Sequence, residues 1–300
     1  MRAALSTLAV AAALIGGATT ARAEVVERSQ WVMGTVLRIV VEAPVEDGLL
    51  DECFDLARAC EQTLSRWDPE AELARLNAAA GGEVEVSPEL FAWLERCARD
   101  HERTGGAFDP TVGTWILDPD SDVEIGMDRV RLGPGRTVFL PAGLALDSGG
   151  DGKGVAVDLI VDRLRAAGVD ALISFGESSS YGLGRGPDGQ GWKLAVRDAS
   201  GEEVGVAVLE DSGISVSWSL RVEQLADGSS HRQPHIFDPA TGELVEEERT
   251  AVVWSRSATE AEVLSTALIV RGDLAILEEF PGAEALITPL GPGRPHWLPE

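Results

Sequence analysis

The segment Leu146–Asp158, LDSGGDGKGVAVD, constrains the fold more than any other stretch of the chain. An apolar strand end runs into a glycine-rich turn, one lysine and an amphipathic helix. Such a turn brings backbone N–H groups, the Lys153 ammonium and a helix N-terminus to one spot, which suits a diphosphate. Glycine-rich turns before helices also arise for steric reasons alone, so the turn by itself leaves both readings open. It is not a Walker P-loop, because no Ser or Thr follows Lys153 and the glycine spacing differs. Nor is it a dinucleotide fingerprint, which needs GxGxxG where this turn has Gly149, Gly150, Gly152 and Gly154.

Five further segments stand in order around it. They are Met33-Gly34-Thr35, LSRWDPEAELARLN at Leu64–Asn77, TGGAFDPTV at Thr104–Val112, HIFDPATG at His235–Gly242, and ATEAEVLSTALIV at Ala258–Val270. Together with the glycine turn they resemble the FAD:protein FMN transferases, the ApbE-like family, from Met33 to Val270. The resemblance implies an α+β fold with mixed or antiparallel sheets, packed helices and an active site in a central cleft. It also implies the reaction: metal-dependent transfer of FMN from FAD to a Ser or Thr hydroxyl of an acceptor protein, with release of AMP.

Glu262 and Thr266 lie four apart on the last long helix, so both side chains point from one face. Their oxygens suit Mg²⁺, although spacing alone favours an ordinary surface pair. The resemblance assigns both positions to metal ligation and matches Gly152 to a residue that supplies a carbonyl. His235 is the general-base candidate, since imidazole titrates near neutral pH. A lone histidine is more often structural, and it is the resemblance that gives His235 the catalytic role. Lys153 is expected to neutralise the diphosphate, or else to be a surface lysine at a helix start. The positions matched to FAD binding are Met33, Trp67, Ala107, Phe108, Asp109, Gly149, Val155 and Ile236. Trp67 reads equally as a stacking ring or a rim aromatic. Asp109 reads as a nucleotide contact or as a turn-forming residue before Pro110.

The chain departs from the family pattern at four places. Glu262 stands where Asp is usual, which lengthens a ligand to an ion that demands near-ideal octahedral geometry. Asp151 adds a carboxylate to the turn and is expected to compensate. Ser174–Ser178 reads SFGES where the family has NLGGD, and Val216–Leu220 reads VSWSL, with Trp218 in place of a glycine. These departures keep two alternatives open: an FAD pyrophosphatase giving FMN and AMP, and an FAD-binding protein without chemistry.

Residues 1–23 have the pattern of a secretory leader, with Arg2, an apolar Leu8–Ile15 and Ala21-Arg22-Ala23 before Glu24. Export to the periplasm with cleavage after Ala23 is expected, leaving 24–300 as one domain. Net charge is −25, and loss of Arg2 and Arg22 with the leader would take it to −27. That excess of acid argues against nucleic acid and against strong binding to anionic membranes. Cys53 and Cys60 fall two helical turns apart, about 10 Å by helix rise and too far for a disulfide. With Cys97 they read as core residues.

The remaining pattern predicts strands at Trp31–Glu42, Leu144–Asp147, Ala171–Phe175, Trp192–Val196, Val204–Leu209, Ile214–Leu220 and Thr250–Trp254. Helices are predicted at Leu49–Arg66, Glu70–Ala80, Pro88–Arg103, Gly154–Ala167, Ala258–Val270 and Gly272–Phe280. Strands following strands through short turns indicate α+β.

Overall fold

A computed structural model describes residues 25–176, 178–197, 203–224 and 230–289, so the leader pattern lies outside the described residues. Strands β1 (Val25–Val32) and β2 (Thr35–Glu42) form a hairpin where a single strand over Trp31–Glu42 was predicted. The alternation does run through both, but Met33 and Gly34 turn the chain back with φ of 50° and 74°. Two successive positive φ values fit the right-handed twist of a hairpin, and glycine takes the second without penalty.

Helix α1 (Leu49–Leu64) buries Cys53, Phe54, Ala57 and Cys60 as the apolar spacing required, and all three cysteines are free and buried. After α2 (Glu72–Ala78) and β3 (Glu83–Glu85) comes α3 (Pro88–Arg103), which matches its prediction at both ends. Ser87 Oγ accepts from Leu90 N–H, Pro88 takes the first position, and Leu90, Trp93, Leu94 and Cys97 form the buried stripe. Helix α4 (Gly113–Leu117) and strands β4 (Arg131–Leu132) and β5 (Thr137–Phe139) follow in the loop-rich stretch; β3, β5 and β4 form a small sheet.

Leu144–Asp147 joins no strand ladder. The Asn77 side chain takes the partner's place: Leu146 N–H donates to its Oδ1 and its Nδ2 donates to Leu146 O, both at 2.9 Å. Helix α5 (Gly152–Ala166) starts two residues earlier than predicted and is followed by β6 (Ala171–Phe175) and β7 (Ser179–Leu183). Strands β8 (Trp192–Arg197) and β9 (Glu203–Leu209) pair as a separate hairpin, as do β11 (Leu220–Gln224) and β12 (Ser230–Pro234) after β10 (Ser212–Trp218). The predicted Ile214–Leu220 strand divides at Ser219, whose Oγ donates to Glu247 O at 2.7 Å and accepts from Arg249 N–H at 2.8 Å.

Strand β13 (Arg249–Ser255), helix α6 (Ala258–Arg271) and strand β14 (Glu284–Pro289) complete the described chain. The predicted Gly272–Phe280 helix is only a 3₁₀ turn over Ala275–Glu279. Seven strands form one antiparallel sheet in the order β1-β2-β6-β7-β10-β13-β14. Period-two alternation then gives the sheet two apolar faces. Helices α5 and α6 cover one, where the main core lies. Val40, Leu172, Ile214, Val216 and Val252 on the other meet Trp192 and Leu209 of the β8–β9 hairpin. No helix among the described residues is long and apolar enough to cross a membrane.

Candidate active site

A cleft of about 1240 Å³ opens where the β1–β2 turn, the glycine turn, the Thr104–Val112 loop and the His235 segment converge. Met33, Trp67, Ala107, Phe108, Asp109, Gly149, Gly152, Lys153, His235, Ile236 and Thr266 all line it. Two expected residues do not. Val155, one turn inside α5, is half-buried and packs against the main core. Glu262 is only 3% exposed and sits behind the wall, meeting the cleft through Lys153. A smaller cavity of about 710 Å³ beside α2 shares only Arg66 with the cleft and holds none of the matched residues.

The floor is built from the turn and the start of α5. Ser148 O accepts from Asp151 N–H at 3.2 Å and from Gly152 N–H at 2.7 Å, while Ser148 Oγ donates to Leu64 O at 2.8 Å. Met33 lies against this turn, since a Cβ on Gly152 would sit 3.5 Å from its Cε. The carboxylate drawn to the helix N-terminus is Glu262 itself. Its Oε2 accepts from Gly154 N–H at 2.6 Å, and its Oε1 accepts from Ser179 Oγ and from Lys153 Nζ, the latter at 2.7 Å. A buried anion at the positive end of a helix with an ammonium beside it is electrostatically well placed.

These residues fit a hard divalent cation. Carboxylate, hydroxyl and carbonyl oxygens are the chemistry Mg²⁺ selects, and the Lys153 ammonium already stands as a cation on Glu262. Gly150 keeps the space before Thr266 open: a Cβ there would lie 3.5 Å from Thr266 Oγ1 and 3.2 Å from Phe108 Cε2. Gly152 O meets Cys60 Sγ at 3.8 Å, a weak sulfur contact. Asp151 does not take the compensating role expected of it. Its side chain turns toward α3, where Oδ2 accepts from Trp93 Nε1 at 2.8 Å and Arg96 Nη2 at 3.0 Å. Its Oδ1 is buried without a partner, and burial raises the carboxyl pKa to about 6 against the pull of Arg96.

Asp109 holds its own loop. Its Oδ1 accepts from Thr111 N–H at 2.8 Å and Thr111 Oγ1 at 2.5 Å, and its Oδ2 accepts from Met127 N–H at 3.2 Å. His101 Nδ1 lies 3.2 Å from the same Oδ2, and this partner raises the imidazole pKa. The turn-forming reading of Asp109 accounts for Oδ1, whereas Oδ2 of this cleft-lining residue ties the loop to Met127 and His101.

Trp67 is 78% exposed, and the Arg66 guanidinium covers its ring with Cζ 3.8 Å from the centroid. Arg66 is held in turn by Asp147, just before the glycine turn. Trp218 is half-buried, joining the cleft wall to the second apolar cluster, with its indole N–H unpartnered. It widens the apolar wall at a place where the family pattern has no side chain.

His235 follows β12 and is tethered by its own N–H to Ser219 O at 3.3 Å. Solvent reaches the ring through the cleft, yet the walls around it and the nearby Arg221 disfavour the imidazolium. Its pKa falls to about 4, with desolvation the larger cause, so the ring is neutral at pH 7 and able to accept a proton.

Sequence reasoning missed Ser179, which holds Glu262, and also Asn77 and Asp158, which stand outside the cleft and fix the segments that carry its residues. Ser179 and Glu262 are 83 positions apart, and the packing of α6 on β7 brings them together. Asn77 and Asp158 are the last residues of two matched motifs, but Asn77 lies inside α2 and Asp158 inside α5. What they anchor, Leu146 and the start of α6, lies 69 and 100 residues further along the chain.

Fold and site define an α+β protein whose ligand cleft is floored by a glycine turn at a helix N-terminus. A profile of the ApbE family matches residues 33–287. The chain is 32% identical to the FAD:protein FMN transferase of Treponema pallidum, over 89% of this chain and 85% of that one. It is 26% identical to the protein of the same name from Vibrio cholerae, over 89% and 87% of the two chains. The crystal structure of the ApbE protein from Thermotoga maritima has the same fold, with a TM-score of 0.76 at 23% identity over 88% of this chain and 94% of that one. The apo flavinyl transferase ApbE of Pseudomonas stutzeri gives 0.75 at 23% identity, over 90% and 92%. The chain belongs to the ApbE family.

Proposed function

We propose that this protein transfers FMN from FAD to a Ser or Thr hydroxyl of an acceptor protein and releases AMP. The observation that carries this reading is the convergence of eleven of the thirteen matched residues on one cleft, with Lys153 joining that cleft to Glu262. The relatives from Treponema pallidum and Vibrio cholerae bear the name of this activity.

The diphosphate of FAD lies against Gly149–Lys153, and the flavin lies toward Trp67 and Met33. His235, neutral at working pH, takes the proton from the acceptor hydroxyl. The hydroxyl oxygen bonds to the FMN phosphorus as the anhydride bond to AMP breaks, leaving a phosphoester-linked flavin. Glu262, Thr266 and the Gly152 carbonyl would hold a divalent ion, Mg²⁺ in this proposal, which when bound supplies charge stabilisation to the transferring phosphate. Ser179 and Gly154 N–H hold the Glu262 carboxylate in place for that purpose. The leader pattern of residues 1–23 supports an exported, periplasmic enzyme.

The test mixes purified protein, FAD, MgCl₂ and a peptide carrying an acceptor Ser or Thr, following AMP and peptide mass together. Gain of one FMN by the peptide, lost in His235→Ala and Thr266→Ala, is the expected result. AMP with an unmodified peptide would point instead to hydrolysis of FAD. Bound FAD without AMP would refute catalysis altogether.

A further inference from the structure

Only two lysines occur in the chain, Lys153 and Lys193; every other basic side chain apart from the histidines is arginine. Lys193 lies on the surface and pairs with Asp188 at 2.9 Å. Lys153 is different. Its ammonium reaches 2.7 Å from Glu262 Oε1, and the two side chains are 25% and 4% exposed. A buried carboxylate needs a compensating charge, and here the compensation is a flexible point charge.

We propose that Lys153 is an exchangeable internal cation, holding Glu262 when no metal is bound and released into the cleft when a divalent ion takes its place. This rests on the transferase reading of the same site and adds a device to it. Glu262 Oε1 already accepts from both Ser179 Oγ and Lys153 Nζ, while Oε2 accepts from Gly154 N–H. A carboxylate oxygen offers about two lone-pair directions, so a metal arriving at Oε1 must displace a donor. The ammonium is the donor it repels. It is also the donor that can leave, because its stem lines the open cleft whereas Ser179 is wholly buried in β7. Once released, the ammonium stands beside Gly149 and Gly150, where a diphosphate would meet it. Metal binding would thereby prepare a second positive charge for the substrate.

Arginine would serve this purpose poorly. Its planar fork, with five donors in fixed geometry, would grip the carboxylate and resist exchange.

Two measurements without FAD or acceptor test the idea, so their outcome is separate from whether FMN is transferred. In the first, Mg²⁺ is titrated calorimetrically into the wild-type protein, Lys153→Met and Lys153→Arg. Lys153→Met is expected to bind Mg²⁺ about tenfold more tightly than wild type, since no cation must leave, and Lys153→Arg more weakly. Equal or weaker binding by a folded Lys153→Met protein, including no binding by either, would overturn the proposal. The second measurement needs no variant and covers the case in which Lys153→Met fails to fold. An amine-acylating reagent is applied to wild-type protein with and without Mg²⁺, and Lys153 labelling is read by mass spectrometry against Lys193. The Lys153-to-Lys193 ratio is expected to rise several-fold with Mg²⁺; an unchanged or lower ratio would show that the lysine stays on Glu262 or that no exchange occurs.

Discussion

Asp158 Oδ2 accepts hydrogen bonds from both the backbone N–H and the hydroxyl of Thr259, at 3.0 and 2.6 Å. Its Oδ1 accepts from Ala258 N–H at 2.8 Å, and Ser257 Oγ donates to Oδ2 at 2.7 Å. One carboxylate on α5 thus closes the N-terminus of α6, the helix that carries Glu262 and Thr266. Replacing Asp158 with Ala would leave two helix-end N–H groups without their charged acceptor. Charge-assisted caps of this kind contribute roughly 2–4 kcal/mol together. Urea unfolding of Asp158→Ala should show a lower midpoint with an unchanged m-value, and Asp158→Asn should lose less. A midpoint unaltered in the Ala variant would contradict this role.

Gly154 is required where α5 crosses α6. A Cβ on it would lie 2.6 Å from Thr259 Cα and 2.7 Å from Ala258 O, and both are backbone atoms that cannot turn aside. Alanine favours helix by about 1 kcal/mol over glycine, but overpacking of this kind typically costs about 1–3 kcal/mol or more. Overpacking wins here, because the helices must part to admit the methyl. That movement also pulls Gly154 N–H from Glu262 Oε2, now 2.6 Å away. Gly154→Ala is therefore expected to lose both thermal stability and FAD-dependent AMP release. Loss of stability with full AMP release would show that the helix crossing does not position Glu262.

How much of this was legible in the chain depends on how local each cause is. Helix α3 could be read to the residue because Ser87, Pro88 and the Leu90–Cys97 stripe all lie within it. The cleft could be placed because its parts are motifs with order and spacing. The Met33-Gly34 turn was hidden, since Met is a poor signal for positive φ and the strand alternation continues through it. The strand predicted at Leu144–Asp147 failed because its hydrogen bonds go to scattered partners, the Asn77 side chain 69 residues away, the Thr114 hydroxyl and Pro110 O, and not to one neighbouring strand. Asp151 was expected to compensate for Glu262 because it sits in the turn. Its true neighbours, Trp93 and Arg96, come from α3, 58 and 55 residues distant. Lys153 facing Glu262 was equally out of reach, as the two motifs give no sign that they meet.

The pH dependence follows from His235. Desolvation and the Arg221 guanidinium lower its pKa to about 4 in the folded protein, against about 6.5 for a free imidazole. Between those values the unfolded chain binds a proton that the folded one refuses. This residue accordingly contributes a loss of stability as pH falls from about 6.5 toward 4, and none above. For catalysis, the neutral base persists to lower pH. The acidic limb of kcat/KM, which reports the free enzyme, should lie near 4. Arg221→Gln removes the repulsion and should move that limb upward; a limb that stays in place would show that His235 is not the group being titrated.

Trp67 separates a binding role from a structural one. The residue is 78% exposed, with Arg66 Cζ 3.8 Å from its ring centroid and the cleft beside it. Exposed side chains away from caps and cores contribute within about 0.5 kcal/mol, so Trp67→Ala should unfold at nearly the wild-type urea concentration. A flavin ring stacked on the indole would lose about 1 kcal/mol on the same change, a rise in FAD Kd of roughly fivefold. Trp67→Phe retains a flat apolar ring and should recover most of that loss. The FAD comparison needs ADP as its control, because ADP carries the diphosphate contacts at Gly149–Lys153 but no flavin. Its Kd should be the same in all three proteins. If ADP weakens as much as FAD, the indole acts by holding Arg66 and, through Asp147, the glycine turn; if neither weakens, the ring is a rim aromatic that the flavin does not touch.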